Sequence, residues 1–278
     1  MFRYDHQATP YCGTPPTPGE LWRHWNFDPT LIVALLAVLA LYFIGARRLA
    51  IGSRKQAVFV IGWTIAVLAL ISPLCPLSVS LFSARVAQHM VLALVAAPLV
   101  AYGSPVAVCD ALFIRRPREH REEQHRRWNA SLAAGVFAAA LWFWHAPVPY
   151  DETFSSSLVY WLMHVSAFGA ALWLWTDLLD PSPARALQIL GAGAISTLQM
   201  SFLGALITFA PRALYAPHLT TSAAWGLTPL QDQQLGGAIM WMPGCVVFLV
   251  VSMLVLRRAL ILAGWFEDEP RPIRARSR

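Results

Sequence analysis

TLIVALLAVLALYFIGARR, residues 30–48, holds no charged side chain from Thr30 to Ala46 and then places Arg47 and Arg48 side by side. An apolar run of this length, about 17 residues, is the least a helix needs to cross a bilayer. Comparable runs recur near 57–72, 86–109, 130–147, 157–176, 186–210 and 235–257. The whole chain of 278 residues is 57% hydrophobic and only 13% charged, a balance outside that of soluble domains. These runs predict an all-α integral membrane protein, a bundle of about seven transmembrane helices.

Turn-forming or charged connectors separate the runs, among them SPLCPLSVS (72–80), DALFIRRPREHREEQHRRW (110–128) and DPSPAR (180–185). Three regions follow: a polar tail over 1–29, a transmembrane domain over 30–262 and a carboxyl-terminal tail over 263–278. The first apolar run follows a polar, Pro-rich segment and reads as an anchor rather than a cleaved leader.

If the chain weaves seven times, Arg47, Arg48, Arg54, Lys55, the arginines of 115–127, Arg185, Arg257, Arg258 and those of the carboxyl-terminal tail share one side. Arg3, Arg23, Arg85 and Arg212 fall on the other. The positive-inside rule then predicts an outer amino terminus and an inner carboxyl terminus. It also explains the net charge of +6 by topology and membrane lipids, without nucleic acid, since the basic clusters lack interleaved stacking aromatics.

With direction fixed, His89, His145 and His164 lie within roughly 10 Å of the outer surface, each near the end of a different run. A polar layer at such depth is costly and marks function by default, although one interfacial histidine bonded to a backbone carbonyl needs no such reading. His6, His24 and His218 are also outer, whereas His120 and His125 belong to the inner loop. Met90 and Met240 lie nearby, and thioether with imidazole suits monovalent copper better than magnesium or calcium. Methionine is equally a filler of helix interfaces.

In QDQQLGGAIMWMPG (231–244), Asp232, Gly236 and Met240 form one helical stripe, on which the glycine admits a neighbouring helix or ligand. Asp232 reads as a metal ligand, as the acceptor of a ligating histidine's second ring N–H, or as a helix-terminal anion. Cys12 and Cys75 are outer, where disulfides form, but no spacing rule pairs them; Cys109 and Cys245 lie elsewhere. Enzyme signatures such as GxSxG, HExxH, the P-loop and the dinucleotide fingerprint are missing, so catalysis is not expected.

LFSARVAQHMVLALVAAPLVAYGSP (81–105), LWFWHAPVPYD (141–151), YWLMHVSAFGAALWLW (160–175) and DQQLGGAIMWMPG (232–244) resemble, in that order, the motifs of the multi-span CtaG family of cytochrome c oxidase assembly factors. The resemblance implies a multi-pass protein of the bacterial plasma membrane that serves maturation of haem–copper oxidases and handles copper for them. Its implied partners are oxidase subunits and a copper chaperone. The family's third span usually reads HMxQHM; here Arg85 and Val86 stand at its first two positions and His89 and Met90 at its last two. Tyr160 similarly precedes His164 where the family tends to HxxxH. Each replaced histidine removes one ligand from a face that would carry two.

Three functions remain open at this stage. One is an assembly factor with His89, His145 and His164 as a three-nitrogen copper set and Met90 or Met240 as a soft fourth donor. Another is a haem-carrying redox protein with two of those histidines axial. The last is a non-metal scaffold or transporter.

Overall fold

A computed structural model describes residues 9–114, 130–179 and 185–262. The arginines of the 115–127 segment, His6, His120, His125 and the carboxyl-terminal tail lie outside the described residues. Among the described residues the fold is helical, with six helices long and apolar enough to span a membrane, or seven when one bent pair is counted as a span.

Helix α1 (Pro29–Arg48) starts where Asp28 accepts the Thr30 amide at 2.8 Å and Pro29 occupies the first turn. It ends with Arg47 and Arg48 in its last turn. Helix α2 (Ser53–Ile71) returns, and Ser72–Pro73 turns the chain into the short α3 (Leu74–Ser80).

Helix α4 (Phe82–Met90) opens into a π-helical stretch, Val91–Ala96, before continuing as α5 (Ala97–Tyr102). A π insertion rotates everything before it relative to everything after, and such insertions concentrate at functional sites. This one begins two residues after His89. The span ends earlier than the predicted 109, because Gly103, a left-handed Ser104 and Pro105 break the helix before the short α6 (Pro105–Cys109).

Helix α7 (Ala130–His145) bends by 70° into α8 (Pro147–Ser155). Pro147 cannot donate a backbone hydrogen bond and holds Ala146 extended, at ψ 136°. The predicted outer connector is therefore a helix, with Tyr150 and Thr153 buried. Helices α9 (Ser157–Leu178), α10 (Ala186–Thr208) and α11 (Pro229–Leu262) complete the bundle. The last starts six residues before the predicted 235, with Pro229 and Asp232 in its first turn.

The two ends of the bundle differ. At one, the amino-terminal tail is held by a Cys12–Cys75 disulfide, by Ser80 and Trp225 donating to the Pro16 carbonyl, and by Tyr11 donating to Asp28. Thr221, in the connector between α10 and α11, donates to the Ser80 carbonyl and joins the same cap. At the other end lie Arg47, Arg48, Lys55 and an Asp177–Arg185 ion pair at 2.6 Å.

Candidate functional site

Beneath the cap, α4, α7 and α9 bring His89, His145 and His164 to the wall of one small cavity of about 30 Å3, which Met90 and Trp144 also line. That volume admits roughly one or two water-sized objects. His89 and His164 are the close pair, with ring centroids 5.2 Å apart and planes at 73°.

Backbone carbonyls orient two of the rings. His145 Nδ1 lies 2.7 Å from the Leu141 carbonyl oxygen and His164 Nδ1 lies 3.0 Å from that of Tyr160. A ring nitrogen facing a carbonyl oxygen carries the proton, so in the neutral ring Nε2 presents the lone pair a metal requires. The Nε2 atoms of His89 and His164 are buried without a hydrogen-bond partner. Buried polar atoms left unpaired in a native fold call for a missing ligand, ion or water.

The three histidines nevertheless do not converge on one point. Among the described residues, no three His, Cys, Asp or Glu side chains stand close enough together to hold a metal ion. The geometry offers a two-nitrogen pair, with His145 on the same wall.

Arg85 occupies the helical turn before His89 and is 2% exposed. Its guanidinium carbon lies 4.3 Å from the ring centre of Phe154, 5.0 Å from Tyr150 and 5.8 Å from Tyr160, a cation–π cage. Nη2 donates to Thr153 Oγ1 at 2.5 Å, and the Met163 sulfur lies 3.7 Å away. Among the described residues its contacts include no carboxylate, so a full positive charge stands beside the histidine pair.

Asp232 lies apart from the histidines. Its carboxylate accepts the amides of Phe82 and Ser83 at 2.7 and 3.0 Å and the Ser83 hydroxyl at 2.5 Å, capping the amino terminus of α4. Gly236 makes this possible, because a Cβ there would strike the Phe82 ring. Met240 is fully buried in the same apolar cluster as Met90, outside the cavity wall.

Several contacts here were not legible in the sequence. Tyr150 hydrogen-bonds His218 at 2.6 Å, and burial pushes the His218 imidazole down to about 3. Gln88 is wholly buried and donates to the Ala69 carbonyl at 2.7 Å. The Tyr160 ring packs against His164 with centroids 4.2 Å apart and planes tilted by 36°, and its hydroxyl lies 3.2 Å from the Cys12 sulfur. Tyr150, Gln88 and Tyr160 stood in the quoted motifs and His218 stood out as an outer histidine, but their partners carried no sequence signal.

The sequence pattern of a family described as cytochrome c oxidase caa3 assembly factor (Caa3_CtaG) matches residues 40–260. No curated protein and no solved structure matches the chain. The match covers most of the transmembrane region, including all three cavity histidines, and the chain belongs to the cytochrome c oxidase caa3 assembly factor family.

Proposed function

We propose that this assembly factor holds monovalent copper as cargo between His89 and His164, on the outer face of the plasma membrane, and delivers it to a haem–copper oxidase. The observation that carries this reading is the pair of buried, unpartnered Nε2 atoms beside a cavity of single-ion size. Met90 adds a soft sulfur to the wall, and His145 offers a third nitrogen for transfer.

Arg85 bears on the oxidation state. A fixed positive charge repels a divalent ion about twice as strongly as a monovalent one at the same distance, so the cage favours the cuprous form. Two imidazole nitrogens also suit that ion's low coordination number. Within the cavity that His89 and His164 share, size argues against haem, since a porphyrin is far larger than that space.

The outer placement rests on charge. Described basic residues cluster at the end opposite the histidines, which the positive-inside rule assigns to the cytoplasm. The Cys12–Cys75 disulfide in the cap agrees, because such bonds persist outside the reducing cytoplasm.

The reading is tested in a host strain lacking this gene and its paralogues, grown at limiting copper. His89→Ala and His164→Ala are expected to leave oxidase activity near that of the deletion, with partial recovery on added copper, while His120→Ala restores it fully. Full restoration by the His89→Ala/His164→Ala double variant would remove the copper pair from the mechanism.

A further inference from the structure

A second and much larger cavity, about 530 Å3, lies between α1, α2 and α9. Its size is that of a ligand pocket, about 300–1,000 Å3. Its deep wall is formed by buried residues, among them Leu35, Ala66, Leu92 and His164. Its rim is formed by Val38, Val165 and Gly169, which are exposed on the surface that faces the bilayer. The cleft therefore opens sideways into lipid rather than into water.

Its extent matches one leaflet. From Asp28 to Val38, both of which line the cleft, α1 rises about 15 Å. That is half of a hydrocarbon core roughly 30 Å thick. The walls are apolar apart from His164, and polar groups gather at the cap end, where Tyr11, Asp28 and Thr30 line the mouth. Helix α1 cannot close the gap by leaning inward. Trp63 donates to the Leu35 carbonyl at 3.3 Å, and Asn26 donates from its backbone to the Ile71 carbonyl at 2.8 Å, fixing the helix along α2. An open cleft of this size forfeits dispersion contacts that a hydrocarbon chain would supply.

Charge at the mouth identifies the head of the occupant. Asp28 is partly exposed and receives the Tyr11 hydroxyl on Oδ2 at 2.5 Å and the Thr30 amide on Oδ1 at 2.8 Å. The bond from Tyr11 and that from the Thr30 amide hold its carboxyl below the usual range, so it is charged at neutral pH. Being partly exposed, the carboxylate stays open to a further donor.

We propose that this cleft is a binding site for one amine-headed phospholipid of the leaflet on the amino-terminal side, an acyl chain lying between α1 and α9 and the ammonium group on Asp28. The site rests on the cleft alone and stands or falls independently of copper.

The test uses the full-length protein in vesicles of equal parts amine-headed and glycerol-headed phospholipid, doped with either lipid carrying a mid-chain photoreactive diazirine. Adducts are expected on Leu31–Val38 and Trp161–Gly169, at least threefold more from the amine-headed probe. Gly169→Leu fits the site, because a Cβ at Gly169 meets no atom within 4 Å, and it should remove most of these adducts. Ala34→Leu, from the opposite wall, should do the same. Labelling of exposed Leu198 on α10 should stay unchanged in both and so report an intact fold. Asp28→Asn, which can still cap α1, should keep the adducts and lose the headgroup preference. Equal labelling by both probes in the unaltered protein, adducts undiminished in both cavity-filling variants, or an isoprenoid quinone co-purifying at about one per protein would overturn the proposal.

Discussion

Arg85 separates this chain most clearly from the two-histidine face its family resemblance implies. Its guanidinium is enclosed by Phe154, Tyr150 and Tyr160 and anchored on Thr153, so it cannot snorkel to water, and it does not reach Asp232. Arg85→His would remove the fixed charge and place an imidazole one turn from His89 on the same face. Competition with a cuprous chelator should then show affinity raised by about tenfold or more, and divalent copper should gain more than monovalent. Unchanged affinity would mean that the cage charge does not act on the pair. The histidines were legible in the sequence because polar side chains stand out within apolar runs. The cage was not, because three of its contributors, Tyr150, Thr153 and Phe154, fall in a segment that reads as an outer connector. Burial of that segment follows from the bend at Pro147, which carries no periodic signal.

At the scale of elements, α4 and α11 act as one unit. The stripe of Asp232 and Gly236 was legible from its four-residue spacing, and its neighbour proved to be a helix: Gly236 admits Phe82, and Asp232 caps the α4 terminus. Since α4 carries both Arg85 and His89, this cap sets the position of half the histidine pair. Asp232→Ala would leave the Phe82 and Ser83 amides buried and unpaired, at about 1–3 kcal/mol each. The detergent-solubilised protein should lose several degrees of thermal stability and bind copper more weakly, whereas Asp232→Asn, which keeps one acceptor, should fall between. An unchanged melting temperature in Asp232→Ala would contradict the capping role. The π-helical stretch after His89 was not legible, because apolar residues such as Val91 and Leu92 read alike in α and π geometry.

Over the whole molecule, length and apolarity revealed the spans, because few alternatives satisfy backbone hydrogen bonds in lipid. The cap was less accessible: Cys12 and Cys75 were visible as outer cysteines, but their pairing depends on how the tail folds over α3. Cap and bundle together keep the Nε2 atoms of the histidine pair buried near the cap end, while the basic end faces away, an arrangement that fits the proposed receipt of an ion from one side only. The direct test of this account is anaerobic titration of the purified protein with cuprous ion against a competing chelator. The account predicts one tightly held copper per protein, weakened at least about tenfold by His89→Ala or by His164→Ala, with the double variant little worse than either single one. The control His120→Ala should bind as the unaltered protein does. Equal copper binding by the unaltered protein and the His89→Ala/His164→Ala variant, with the fold intact, would contradict it.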